Sequence, residues 1–336
     1  MRALPEMQAP ANETMTSVYL TIDTEYSYGL ASRRRPVSRA ENYARSISCV
    51  TPDGPAGVEY KLEMFDRHGL KGVFFVDPMP ALVYGVEAIA DVVRPIVEHG
   101  HDVQLHLHSE WLELAGTANP LGNRTGRNIG DFSFDDQCAL LGWARDTLVA
   151  AGAPQPVAFR AGNYGANDDT LRALAEIGVK YDTSHCPGIS DGECGISLTS
   201  EDRRPIRHCG VIEVPVGCVE CFTGLRHAQI TALSAWEMLA ALRHARENDL
   251  ASFTFVSHSF ELMCRRRYKT NRIVRRRFEK LCSGIAAMEG VATATYADRP
   301  PEAAKASEPR PVLPLNEIRA GLRMAEQAVV NRLYGA

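Results

Sequence analysis

Residues 87–109 read EAIADVVRPIVEHGHDVQLHLHS. The first half spaces its apolar residues as one face of a helix. Gly100 follows where a helix needs a left-handed C-terminal cap, and DVQLHLH has the length and content of a strand. The same phrase recurs as VEYKLEMFDRHGLKGVFFVDP (58–78), DTLRALAEIGVKYDTS (169–184) and RRFEKLCSGIAAMEGVATATY (276–296), with Gly69, Gly178 and Gly290 in the cap position. VYLTIDTE (18–25), VAFRAG (157–162), VIEVPV (211–216) and LASFTFVSH (250–258) add further strands, and SAWEMLAALRHAREN (234–248) a further helix. Helices alternating with strands imply parallel pairing through crossover helices. Seven or eight such strands favour an α/β fold of the (β/α) barrel type, distorted or not, over an open sheet. In such barrels the chemistry gathers where the strands end.

Outside the repeating phrase the chain divides simply. Residues 1–17 read as an N-terminal tail and 18–298 as one barrel domain. Residues 26–56, with Arg33, Arg34 and Arg35, are expected to form a long loop over the barrel mouth. Residues 299–314 hold five prolines and suggest a semi-rigid linker. Residues 315–336 suit an amphipathic helix with Ile318, Leu322, Ala325, Val329 and Leu333 near one face. That face is expected to pack on the barrel or on a second copy of the chain, as in a homodimer.

Composition narrows the function classes. The 336 residues are 45% hydrophobic and 23% charged with net charge −4, an ordinary balance for a globular protein and a poor one for a general nucleic-acid binder. No stretch has the apolar length of a membrane span and no secretory signal is visible at the start, so a cytoplasmic location is expected. The nine cysteines are then expected to be reduced thiols. Five of them lie between Cys186 and Cys221, where C-x2-C at Cys218 and Cys221 offers a zinc knuckle as the alternative. The run 265–280 holds nine Lys/Arg against one Glu and reads either as a solvated helix face or as an attractor of acidic substrate.

The polar residues at strand ends form one constellation. Asp23 and Glu25 are two apart and share a strand face, as do His106, His108 and Glu110. Arg160 and Asn163 follow another strand, Asp182 a fourth, and His258 closes a fifth. Two imidazoles and a carboxylate are a common first shell for a catalytic divalent metal, and Glu25, His106 and His108, with Glu110 as the alternative, supply it. Such an ion acidifies water and polarises a carbonyl. Asp23 would accept the proton, Arg160 would hold Asp23 ionised, and His258 would protonate a leaving amine.

TIDTE, GHDVQLHLHSEW, FRAGNYG, YDTS and FVSHSFE, in this order, resemble the five motifs of the polysaccharide deacetylase superfamily (NodB-homology, carbohydrate esterase family 4). The resemblance spans roughly 18–260. It implies an irregular (β/α)7 barrel and metal-dependent hydrolysis of an N-acyl group on a carbohydrate, with Zn2+ expected and Co2+, Fe2+ or Mn2+ as alternatives. It makes Asp23 the base, Glu25 and His106 metal ligands, Arg160 the residue orienting the base, Asp182 the partner of His258, and His258 the acid. The third motif's backbone, near Asn163 and Tyr164, would hold the oxyanion. Three positions depart from the pattern. Glu110 stands where the second metal histidine is usual, Thr24 where a second Asp is found, and Ala161-Gly162 where Pro-Pro is found. With no export signal visible, the expected substrate is a nucleotide-linked, lipid-linked or small N-acetylated sugar intermediate made in the cytoplasm. The alternatives are C–N hydrolysis of a non-sugar amide and a non-catalytic binding module.

Overall fold

The computed structural model describes residues 15–190, 192–305 and 311–334. Nine strands share one sheet: β1 (Thr16–Thr24), β2 (Val73–Val76), β3 (Asp102–Leu107), β4 (Ala158–Ala161), β5 (Tyr181–Asp182), β6 (Ile206–His208), β7 (Val211–Glu213), β8 (Ser252–His258) and β9 (Val291–Thr293). Their order is β8-β1-β2-β3-β4-β5-β7-β6, with β9 also on β1, and only the β6–β7 pair is antiparallel. β1 is buried along its whole length because it is covered on both faces. Around the sheet lie α1 (Val58–His68), α2 (Val86–Glu98), α3 (Phe134–Ala150), α4 (Asp168–Glu176), α5 (Ala235–Glu247) and α6 (Arg272–Ala286). Gly69, Gly100, Gly178 and Gly290 all take positive φ behind these helices, as the repeating phrase predicts.

The sheet curls into the irregular α/β barrel expected from the sequence. Its weakest seam, between β7 and β8, is closed by irregular backbone. The Gly217 N–H donates to the Thr254 carbonyl (3.0 Å), Val256 to Ala228 (3.0 Å) and Ile230 to Val256 (3.1 Å). Residue 217 must be glycine for this approach, since a Cβ there would lie 2.6 Å from the Phe253 ring.

Three expectations change. Residues 26–56 are not a turn-rich loop: they hold helices Tyr28–Ala31 and Arg39–Ser46 and a hairpin of Val50–Thr51 with Gly54–Pro55, tied by the Asn42 side chain to both backbone groups of Ser27. The described part of 299–314 is docked rather than spacing, with Glu220 N–H bonded to the Leu313 carbonyl and Ala304 N–H to that of Pro205. Residues 306–310 and the tail residues 1–14 lie outside the described residues, and Thr16 and Ser17 belong to β1 rather than to a tail.

The C-terminal helix α7 (Glu317–Tyr334) forms, but it docks with a different face. Ala320, Arg323 and Val330 are buried, while Ile318, Leu322, Val329 and Leu333 are exposed. Charge pairing overrides the apolar stripe. Arg323 reaches Glu237 of α5 (3.0 Å), and the buried Arg277 of α6 reaches Glu326 (2.6 Å). A buried guanidinium without its carboxylate would be costly, so these pairs fix the face that turns inward. No described helix is long and apolar enough to cross a membrane.

Candidate active site

Parallel register brings the candidate residues together at one end of the barrel. Asp23 on β1 pairs with His258 on β8, and His106 on β3 with Arg160 on β4. Arg160 is fully buried and stacks on the Phe75 ring, 4.6 Å from its centroid. Its Nη1 donates to Asp23 Oδ1 (2.6 Å) and to Thr21 Oγ1 (2.9 Å), and its Nε to the Thr183 carbonyl (3.2 Å). The other oxygen of Asp23 faces His258 Nε2 at 3.8 Å. The arginine thus holds the buried carboxylate in place and leaves one oxygen turned toward the site.

His258 Nδ1 is 3.0 Å from Glu261 Oε1, and Gln229 donates to the same carboxylate. Burial alone would lower the imidazole's pKa, but Glu261 and Asp23 outweigh it and push it up to about 9. His258 is therefore an imidazolium at neutral pH. The expected partner, Asp182, lies elsewhere. It accepts from the N–H and Oγ of Ser184 and sits against buried Glu213, where burial raises both carboxyls and Glu213 the more. Asp182 braces the barrel wall beneath the site, and Glu261 takes the role that the sequence assigned to it.

On the other side of Asp23, Glu25 Oε2 lies 2.5 Å from His108 Nε2 and 3.4 Å from His106 Nε2. These three residues bring one ligand atom each to within 4.8 Å of one another. His106 Nδ1 donates to the Arg160 carbonyl (2.7 Å), so its Nε2 lone pair is the one facing Glu25. His108 Nδ1 is 3.0 Å from Glu110 Oε2. Glu110 therefore stands behind His108, orienting the ring, and His108 completes the trio.

The trio fits a divalent cation. Glu25 Oε2 is buried, close to both imidazoles, and without hydrogen-bond geometry to either. Asp77, just past β2, adds a second buried orphan: Oδ2 has no partner, while Oδ1 accepts from Met79 N–H. Burial pushes the Asp77 carboxyl up to about 7, against the pull of His108 and His106. For Glu25, burial is opposed by His108 and His106, which hold its carboxyl well below the usual range. Oxygen and imidazole donors around a buried centre are the set that zinc and similar ions take.

Residue 162 links two of the departures noted in the sequence. A Cβ there would lie 2.6 Å from His108 Nδ1 and 2.7 Å from the Leu107 carbonyl. Glycine at this position makes the room in which the His108 ring sits. The next two residues, Asn163 and Tyr164, both take positive φ (55° and 56°), which non-glycine residues seldom do. The Asn163 side chain is exposed and donates to Asn128 (3.3 Å); the Tyr164 hydroxyl is buried and unpartnered.

Sequence reasoning missed Asp77, Gln229, Glu261 and Lys61. Glu261 lay inside the quoted FVSHSFE, three residues after His258, and Asp77 had the strand-end signal of VFFVDP. Lys61 has no such signal: it is fully buried on α1, with Nζ 3.2 Å from Ser257 Oγ, and burial lowers it to about 8. The nine cysteines are free and those of 186–221 do not converge on a common centre. Among the described residues Cys209 alone of the nine enters a mixed group, with Asp168 and His208.

No family model matches the chain, and no curated protein matches it. Solved structures do. A "putative polysaccharide deacetylase from Mycobacterium smegmatis" is similar over 88% of this chain and 92% of its own, with 18% identity and a TM-score of 0.55. A family 4 carbohydrate esterase from Streptomyces lividans, solved with acetate, is similar over 89% and 98%, with 12% identity and a TM-score of 0.41. The mycobacterial likeness establishes the barrel as a known fold.

Proposed function

We propose that the protein is a metal-dependent amide hydrolase that removes an N-acyl group, acetyl in the simplest case, from a carbohydrate-type substrate. The observation that carries this reading is the placement of Asp23, with one oxygen fixed by Arg160, between the Glu25–His106–His108 trio and His258. The mycobacterial protein of the same fold is described in terms of the same reaction class.

Glu25, His106 and His108 would hold the cation, which when bound supplies Lewis acidity at the acyl carbonyl and acidifies water. The remaining work falls to the chain's own groups. Asp23 takes a proton from the attacking water as its oxygen bonds to the acyl carbon. The backbone N–H groups of Asn163 and Tyr164, in a segment of positive φ, stabilise charge growing on the carbonyl oxygen. His258 gives its proton to the nitrogen as the C–N bond breaks, leaving a free amine and a carboxylic acid. Glu261 keeps His258 charged for that step. The substrate proposed is a small N-acylated sugar intermediate in the cytoplasm; nine free thiols suit a reducing compartment.

The test is acid release from N-acetyl sugars, ureides and cyclic amides by protein stripped with a chelator and reloaded with Zn2+, Co2+, Mn2+ or Fe2+. Metal-restored release of acetate from N-acetyl sugars is expected. Turnover of ureides or cyclic amides alone would assign a non-sugar C–N hydrolase. Protein that binds no metal and turns over nothing would be a binding module.

A further inference from the structure

A cleft of about 430 Å³ opens beside the candidate active site. Arg33, Arg45, Arg265 and Arg266 line it with Tyr268, over an apolar floor of Leu30 and Met263, and no carboxylate lines it. The arginines come from three separate stretches: the segment after helix Tyr28–Ala31, helix Arg39–Ser46, and the turn between the short strands Met263–Cys264 and Lys269–Thr270. The basic run 265–280 is thereby split. Arg275 and Arg277 pair with Glu279 and Glu326, whereas Arg265 and Arg266 stay exposed.

Gathering like charges around a partly enclosed space is unfavourable unless an anion enters it. Among the described residues Arg33, Arg265 and Arg266 make no ion pair, and of the four only Arg45 does, with Glu41. Two arginines are also held in place. Arg45 lies over the Tyr268 ring (4.8 Å to its centroid) and Arg265 over Phe260 (4.4 Å). Phe260 in turn packs on His258, with ring centroids 5.2 Å apart. Arg265 also donates to Ser27 Oγ (3.2 Å), two residues past Glu25. Arg265 thereby links the cleft through Phe260 to His258, the acid side of the site.

We propose that this cleft binds a phosphate or diphosphate group carried by the substrate, which makes the substrate a phosphorylated N-acyl sugar. This deepens, and rests on, the amide-hydrolase reading. A carboxylate is satisfied by one guanidinium fork. Four guanidinium groups around one space match an anion with several oxygens pointing in several directions.

The test uses inorganic pyrophosphate as a probe, followed by calorimetry without turnover on the full chain. Arg33→Ala and Arg266→Ala are the informative variants, because both side chains are exposed and unpaired. Arg34→Ala, exposed but outside the cleft, is the control. Wild type and R34A are expected to bind alike, and R33A and R266A about tenfold or more weaker each, as for loss of a charged hydrogen bond. With turnover, KM for an N-acetylhexosamine phosphate is expected to rise by a similar factor in R33A and R266A. No binding to wild type, or equal binding to all variants, overturns the proposal. Arginine-dependent binding without hydrolysis of any amide would overturn the hydrolase reading and leave the cleft standing. Hydrolysis of N-acetyl sugars without pyrophosphate binding would do the reverse.

Discussion

The two sides of Asp23 use the same residue types to different ends. On one side each charge faces an opposite one: Arg160 bonds Asp23 at 2.6 Å, and Glu261 lies 3.0 Å from His258, with only Glu261 Oε2 left without a hydrogen-bond partner. On the other side Glu25, Asp77 and Glu110 crowd two imidazoles, and two buried carboxylate oxygens, on Glu25 and Asp77, have no hydrogen-bond partner. A buried orphan oxygen costs about 1–3 kcal/mol and more when charged. The first side is complete as a proton-transfer unit. The second is complete only with a positive centre among its donors.

This difference predicts opposite behaviour for two substitutions of large effect. His106→Ala removes one of the three donors, so bound metal and turnover should be lost together. Asp23→Asn keeps the shape and removes the base, so kcat should fall by about 10²–10⁴ with metal content unchanged. Metal analysis beside acetate release checks both. Equal loss of metal in D23N would mean that the two sides are one site with one task.

A smaller effect is expected at Gly162. Its missing Cβ is the space occupied by the His108 ring, with Nδ1 only 2.6 Å away. Gly162→Ala should push that imidazole off its line between Glu25 and Glu110 and weaken metal affinity by about 10–100-fold, the range for disturbed supporting contacts. Excess metal should restore much of the rate. Wild-type affinity in G162A would remove His108 from the ligand set.

Much of this arrangement was legible in the chain because it is local. Same-face spacing relates His106 to His108 and Asp23 to Glu25, and the glycines at 69, 100, 178 and 290 mark where a strand follows a helix. What failed was non-local. The apolar stripe of α7 is real, but Glu237 and Glu326 decide which face docks, and they depend on α5 and α6 lying side by side. Asp182 follows a strand in the right order, yet strand order does not reveal that Ser184 and Glu213 claim its oxygens. The arginines of 33–35 and 265–267 are plain in the sequence, but the meeting of Arg33 with Arg265 and Arg266 at one cleft depends on the fold of 26–56.

The finest contrast concerns protons. His258 is held up to about 9 against the burial that would lower it, with Glu261 the largest favourable influence. An acid is competent while protonated, so turnover should be flat on this account below about pH 9 and fall as pH rises through it. Glu261→Gln removes the charge and keeps the shape, and the basic limb should move down toward the ordinary histidine value of about 6.5. Metal content should not change, since Glu261 belongs to the completed side. A basic limb that stays put in E261Q would mean either that the falling rate reports another group or that His258 owes its charge to Asp23 instead.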